Sequence, residues 1–463
     1  MKIYPEQQNY IREKFTILTS KEELLMLLNE AKKMMYGEEF KPIRLKHLTY
    51  YANPDFCKKR YTSFCIAKKN GGERIINAPV KGLRSILRVL NFVLQAVNEP
   101  HPAATGFVLD RSIVDNAKAH VGKHYVYNLD IKDFFHSFDR NRVKMGFMRK
   151  PFNLNKDKNK EELAFFLSCL CTHPFEIEGE IKTVLPQGSP TSPTITNILC
   201  QDLDRRLNGL AKKFNLSFTR YADDITFSSS HNIYKEVEFQ KELQRIIQED
   251  QQLNINPTKT RLQKTGFRQE ATGLIVNEKV NVRKKYVKQL RMWLYYWETY
   301  GYKKAEQIFR KDYHSEKGHI NSGIPNMNLV IAGKLEFLKM VKGDKDFTYL
   351  NLSSRFQNLQ KPLQNISNSK NILINIKSLN ASPKVYPAET ILNSKNNILV
   401  SDLNIVDLIF EKGLDEAMQF YPNQNNEVKR GWDLNYIITP EDEKIWDELK
   451  AKAFKEINNN NKK

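Results

Sequence analysis

Residues 218–227 read "FTRYADDITF". Apolar and aromatic residues flank the stretch as in a β-hairpin, and two aspartates stand side by side at its middle. Adjacent carboxylates repel each other and are poor strand formers; read alone, they mark a solvated turn or a helix cap. A hard divalent cation gives a reason to place them at a tight turn between strands, because such ions gather several oxygen ligands. Two neighbouring carboxylates can reach one ion but cannot neutralise two, so a third carboxylate is expected from another strand.

"YNLDIKDFF" (127–135) offers it. Asp130 ends the apolar run "YVYNLD", where an unpaired buried carboxylate would be costly. The plain alternative is a strand-end aspartate bonded to backbone amides. With Asp223 and Asp224, Asp130 completes a set able to hold two metal ions about 4 Å apart, the arrangement for in-line nucleotidyl transfer. The same three residues are then both metal ligands and catalytic groups, with Mg²⁺ expected and Mn²⁺ as the alternative. One ion would activate a 3′-hydroxyl, and the other would steady the triphosphate and the leaving pyrophosphate.

Composition agrees with a polyanionic partner. The 463 residues are 40% hydrophobic and 11% aromatic, enough for two to four folded domains. Net charge is +20, which favours nucleic acid. Residues 350–463 hold 15 Lys/Arg against 14 Asp/Glu, so about +19 lies in the first 349 residues. Five cysteines without C-x-x-C spacing fit a reducing compartment. Cys169 and Cys171 fall in an apolar stretch and read as buried thiols, with a metal site including His173 as the alternative. No run approaches the ~18 apolar residues of a membrane span, and the first residues lack an apolar leader core, so a cytoplasmic protein is expected.

Along the chain, "SKEELLMLLNEAKKMMYG" (20–37) is a helix with a Ser N-cap and a Gly stop, and "YTSFCIAKKNGGERIINAP" (61–79) is a basic hairpin. An amphipathic helix follows at 83–98, then the Asp130 strand and a Pro-punctuated turn leading into a helix over 189–214. After the Asp-Asp hairpin come a helix at 234–250, a strand "ATGLIVN" (271–277), and basic aromatic helices at 283–312 and 328–341. Mixed strands and helices followed by a basic helical module give an α+β class. Beyond about 350 the chain turns rich in Asn and Ser, reading as a linker or loose strands before two capped helices.

With these motifs in order, the chain resembles a reverse transcriptase over roughly residues 40–345. The likeness rests on "KKNGGERIINAP", "DIKDFF", "LPQGSPTSP" (185–193), "YADD" (221–224) and "NPTKT". It implies a right-hand polymerase fold with fingers and palm (40–280) and a helical thumb (281–345); an N-terminal helical segment (1–39) precedes these, and an additional α+β or helical C-terminal extension of unknown role (346–463) lies outside the likeness. It also implies that Lys68, Lys69 and Arg74 grip the incoming dNTP and that Phe135 is the steric gate against ribonucleotides. Gln187 and Gly188 would lie under the nascent pair, with Lys259 reaching toward the pyrophosphate and Tyr221 beside the primer end.

"NAKAH" (116–120) resembles the N-A-x-x-H motif of bacterial retron enzymes, and "ATGLIVN" their V-T-G segment, with Ala271 in place of valine. This resemblance implies a dedicated structured noncoding RNA as template and as source of the primer hydroxyl, a cDNA product, and a role in anti-phage defence. RNA contacts are expected at Asn116 and His120, which could instead cap and orient a loop, and along the thumb at Arg283, Lys284, Lys285, Lys288 and Arg291. An effector protein or a second copy is a further expected partner. Two alternatives stand beside this reading: a non-catalytic, maturase-like RNA-binding scaffold, and a polymerase that regulates an effector in the C-terminal extension.

Overall fold

The computed structural model describes residues 3–67, 72–317, 323 and 325–375. Lys68, Lys69 and the extension after residue 375 lie outside the described residues. The chain divides into two compact units, residues 1–287 with 340–342, and residues 288–339 with those from 343 on.

The first unit is built on strand alternation. A fingers hairpin pairs β1 (Tyr61–Ala67) with β2 (Glu73–Pro79), in a register that sets Ala67 opposite Glu73. The palm sheet follows. Its members are β3 (Tyr125–Asp130), β6 (Ser217–Tyr221), β7 (Asp224–Ser229) and β8 (Arg261–Lys264), antiparallel in the order β6-β7-β3-β8. Between β3 and β6 in sequence, β4 (His173–Ile177) and β5 (Glu180–Val184) form a separate hairpin.

Because successive side chains point to opposite faces, register sorts the palm residues. Tyr127, Leu129, Phe218, Ile225 and Phe227 join the hydrophobic core. Asn128, Asp130, Tyr221, Asp224 and Thr226 alternate with them and take the other face. Helices complete the core. Lys81–Val97 buries ten of its side chains, including Leu83, Leu87, Leu90 and Leu94, each contributing about 1.5–3 kcal/mol. It packs on Pro5–Ile17 and Lys21–Tyr36, and Arg12 Nε reaches its end by donating to the Ala96 carbonyl at 2.8 Å. Ser20 caps the second of those helices by accepting from the Glu23 amide at 3.2 Å.

Three local readings are corrected. The stretch 271–277 is not one strand. Glu270–Ala271 folds back on Leu274–Ile275 through Thr272 (φ 47°) and Gly273 (φ 82°), since two consecutive positive φ values make a tight turn. The helix read over 234–250 continues Val237–Gln244 as a π-helical stretch, Arg245–Asp250. The Asn/Ser-rich run after 350 begins as helix, Phe347–Asn375, because Leu352 and Phe356 are buried and override its linker-like composition.

In the second unit, Lys284–Lys317 is helical on both sides of Gly301, whose φ of 77° interrupts it. Trp293, Leu294, Trp297 and Phe309 turn inward; Trp293 meets Phe309 edge-on at 5.0 Å, and Trp297 meets Phe356 at 6.0 Å. Helix Met327–Lys342 adds Ile331, Leu335 and Leu338 to the buried set. No helix among the described residues is long and apolar enough to cross a membrane.

Candidate active site

The β6–β7 hairpin closes on a two-residue loop, Ala222-Asp223, with Tyr221 paired to Asp224. Ala222 adopts φ 57°, a left-handed conformation that side chains other than glycine rarely take, and such strain concentrates at working sites. Across the sheet, Asp130 pairs directly with Asp224, and the Ile131 amide donates to the Asp223 carbonyl at 3.1 Å. Two motifs almost a hundred residues apart thus set three aspartates at one end of the palm sheet.

Their electrostatics follow from crowding. Burial, then the charges of Asp223 and Asp130, push Asp224 up to about 6. Burial likewise raises Asp223, with Asp130 adding to it while Lys259 and Arg74 oppose. The Asp130 carboxylate is 9% exposed and accepts from Lys259 Nζ at 2.9 Å on both oxygens and from Asn256 Nδ2 at 3.3 Å. Among the described residues no group of three or more His, Cys, Asp or Glu side chains is arranged to hold a metal ion. The backbone gathers the three aspartates, but the Lys259 ammonium occupies Asp130 where a cation would sit. The donor set itself suits a hard divalent ion: three carboxylates, mutually repelling, with no thiolate or imidazole among them.

Around this cluster, Phe135 is half-buried, its ring 5.7 Å from Phe134 and 6.4 Å from Phe107, which also lies 6.3 Å from Tyr221. The Gln187 carbonyl accepts from the Asn77 amide of β2 at 2.7 Å, joining the Pro-Gln-Gly turn to the fingers hairpin. Gly188 is required there. At φ 125°, a methyl in its place would stand 2.8 Å from the Asn77 carbonyl oxygen. Arg74 is exposed on β2, and a cavity of about 440 Å³ beside the carboxylates is lined by Asn128, Tyr221, Lys259, Arg261, Thr272 and Gly273. A larger cavity, about 1300 Å³, lies away from these residues, lined from segments 19–22, 53–56 and parts of 158–166.

Two residues expected at the RNA lie inside the protein. Asn116 and His120 are completely buried. Asn116 accepts from Thr105 Oγ1 at 2.8 Å, while the His120 ring bridges Ser228 Oγ and Thr219 Oγ1, each at 2.7 Å, and burial pushes it down to about 3. His120 thus braces the hairpin that carries Asp223 and Asp224, and Asn116 holds Thr105 beside it. Arg283 is partly exposed, but its guanidinium pairs at 2.8 and 2.6 Å with the buried Glu270 carboxylate. Lys284, Lys285, Lys288 and Arg291 are exposed. Cys171 lies inside the core, as its apolar surroundings indicated, whereas Cys169 is only half-buried.

Sequence reasoning missed Gly106 and Arg220. A methyl on Gly106 would stand 2.5 Å from the Ala222 nitrogen, so only glycine lets this segment support the turn. Arg220 carried a usable signal: strand alternation places it on the apolar face with Phe218, where an arginine demands buried partners.

Fingers above a palm whose sheet carries paired aspartates define the right-hand polymerase class. Residues 66–290 match the family described as "Reverse transcriptase (RNA-dependent DNA polymerase)". The chain is 39% identical over 236 residues to the retron Mx162 reverse transcriptase of Myxococcus xanthus, covering 47% of each. To the retron Mx65 reverse transcriptase of the same organism it is 33% identical, over 51% of this chain and 56% of the relative. To the retron Ec86 reverse transcriptase of Escherichia coli it is 31% identical, over 58% of this chain and 78% of the relative. The aligned part is about half the length of the two Myxococcus proteins. The chain belongs to the retron reverse transcriptase family.

Proposed function

We propose that this chain is an RNA-directed DNA polymerase that copies a dedicated structured noncoding RNA into cDNA, the RNA also supplying the priming hydroxyl. The cDNA would serve anti-phage defence in the cytoplasm. The observation that carries the polymerase reading is the cross-strand pairing of Asp130 with Asp224, with Asp223 on the adjoining turn. Asp130, Asp223 and Asp224 would hold Mg²⁺. Such ions, when bound, activate a 3′-hydroxyl and stabilise charge on the triphosphate and leaving pyrophosphate.

The chain's own residues supply the rest. Lys259, released from Asp130, is free to meet the triphosphate together with Arg74. Phe135 packs beside Phe107, whose ring also meets Tyr221, and would press on the sugar of an incoming dNTP, while Gly188 lets a base pair approach the main chain closely. Exposed Lys288 and Arg291 provide phosphate contacts for the RNA.

The test uses purified protein with its co-purifying RNA, Mg²⁺ and labelled dNTPs. Labelled DNA is expected from the wild type and is lost in Asp223→Ala and in Asp224→Ala, while both variants keep their circular dichroism. Synthesis surviving both substitutions refutes the site. No synthesis by wild type on its own RNA or on any supplied template refutes the activity.

A further inference from the structure

Arg220 and Asp204 are both completely buried. The guanidinium donates from Nε to Asp204 Oδ1 at 2.6 Å and from Nη2 to Asp204 Oδ2 at 2.7 Å. Nη2 also donates to Asn197 Oδ1 at 3.1 Å, and Nη1 donates to the Ala222 carbonyl at 3.1 Å. Asn197 in turn donates to the Gly106 carbonyl at 2.9 Å, directly behind the turn. The Arg220 main chain is fixed as well: its amide donates to the Ala103 carbonyl and its carbonyl accepts from the Thr105 amide, each at 2.8 Å.

A buried ion pair is a weak way to stabilise a fold, because desolvation consumes most of the Coulombic gain and apolar residues of similar volume often serve as well. What an apolar replacement could not reproduce is the third arm of the fork. Nη1 ends on the carbonyl of the one left-handed residue in the carboxylate turn. Holding that oxygen fixes the plane of the Ala222–Asp223 peptide, and with it the direction in which Asp223 leaves the backbone. Asp204 and Asn197 leave the guanidinium no other orientation.

We propose that Arg220, aimed by Asp204 and Asn197, is a positioning residue that pre-sets the Ala222-Asp223 turn for divalent-cation binding. The inference rests on the reading that Asp130, Asp223 and Asp224 hold the ions for nucleotidyl transfer.

The experiment compares full-length wild type with the double variant R220M/D204L, which removes both charges at similar bulk, and with Arg220→Lys, which keeps a charge opposite Asp204 but has no second arm for Ala222. Mn²⁺ binding to RNA-free protein is followed by electron paramagnetic resonance, and kcat and dNTP KM are measured with the co-purifying RNA. A folded variant lacking the Ala222 bond is expected to need at least about tenfold more Mn²⁺ for half-saturation, and to lose roughly 10²-fold in kcat with much less change in KM, as for a small misplacement of reacting groups. Wild-type Mn²⁺ response and kcat in either folded variant overturn the inference. Failure of both variants to fold also overturns it, since the pair would then hold up the palm rather than the turn. If wild type binds Mn²⁺ but makes no DNA, the polymerase reading fails while the Mn²⁺ comparison still judges Arg220.

Discussion

The two faces of the palm sheet use the same four strands to opposite ends. On one, Phe227 is fully buried, stacked on Phe218 at 5.0 Å and edge-on to Phe239 at 5.7 Å. On the other, three residues back along the same strand, Asp224 faces Asp130 with its carboxyl pushed up to about 6. The first face releases free energy on folding, and the second spends some of it holding like charges together. Stability and chemistry are therefore separated by the pleat rather than by distance.

The sharpest break of this contrast is Phe227→Ala. A buried phenyl replaced by a cavity is expected to cost about 3–5 kcal/mol in urea unfolding, with the DNA yield per folded molecule unchanged. A large loss of specific activity in the remaining folded fraction would mean that the faces are not separable.

Asp224→Asn should act with the opposite sign. As pH rises from the ordinary carboxylate value of 3.8 to about 6, the unfolded chain releases a proton that folded Asp224 still holds. Stability therefore falls across that window and is level above it. Removing the charge should stabilise EDTA-treated protein at pH 7 by about 1–3 kcal/mol and flatten the slope between those pH values. A metal-free variant melting below wild type would show that the charge is not the cost. The smallest effect belongs to the rim of the polar face: Phe135→Ala should raise ribonucleotide incorporation about tenfold, equivalent to ~1.4 kcal/mol of sugar discrimination. Unchanged selectivity would remove Phe135 from the gate.

Sequence and structure diverge along the same line. The Asp130 strand and the Asp-Asp hairpin were legible because period-two patterning and a tight turn are local signals. The pairing partner of Arg220 was not, since Asp204 lies on a preceding helix and only tertiary folding brings the two together. Asn116 and His120 were recognisable as a motif, yet a motif does not say which way its side chains point; here both turn inward onto Thr105, Thr219 and Ser228. Lys259 was expected near the triphosphate, and its bond to Asp130 reflects the pull of an exposed ammonium toward a carboxylate that needs a positive neighbour. Residues 350–375 misled through composition, because two anchoring apolar side chains outweigh many polar ones.

The imidazole of His120 stays neutral throughout the physiological range, so it carries one N–H and one lone pair. One of its two hydroxyl neighbours must therefore give a proton and the other receive one, which lends the link between β6 and β7 a sense of direction. That tie adds no formal charge beneath an already crowded acidic end.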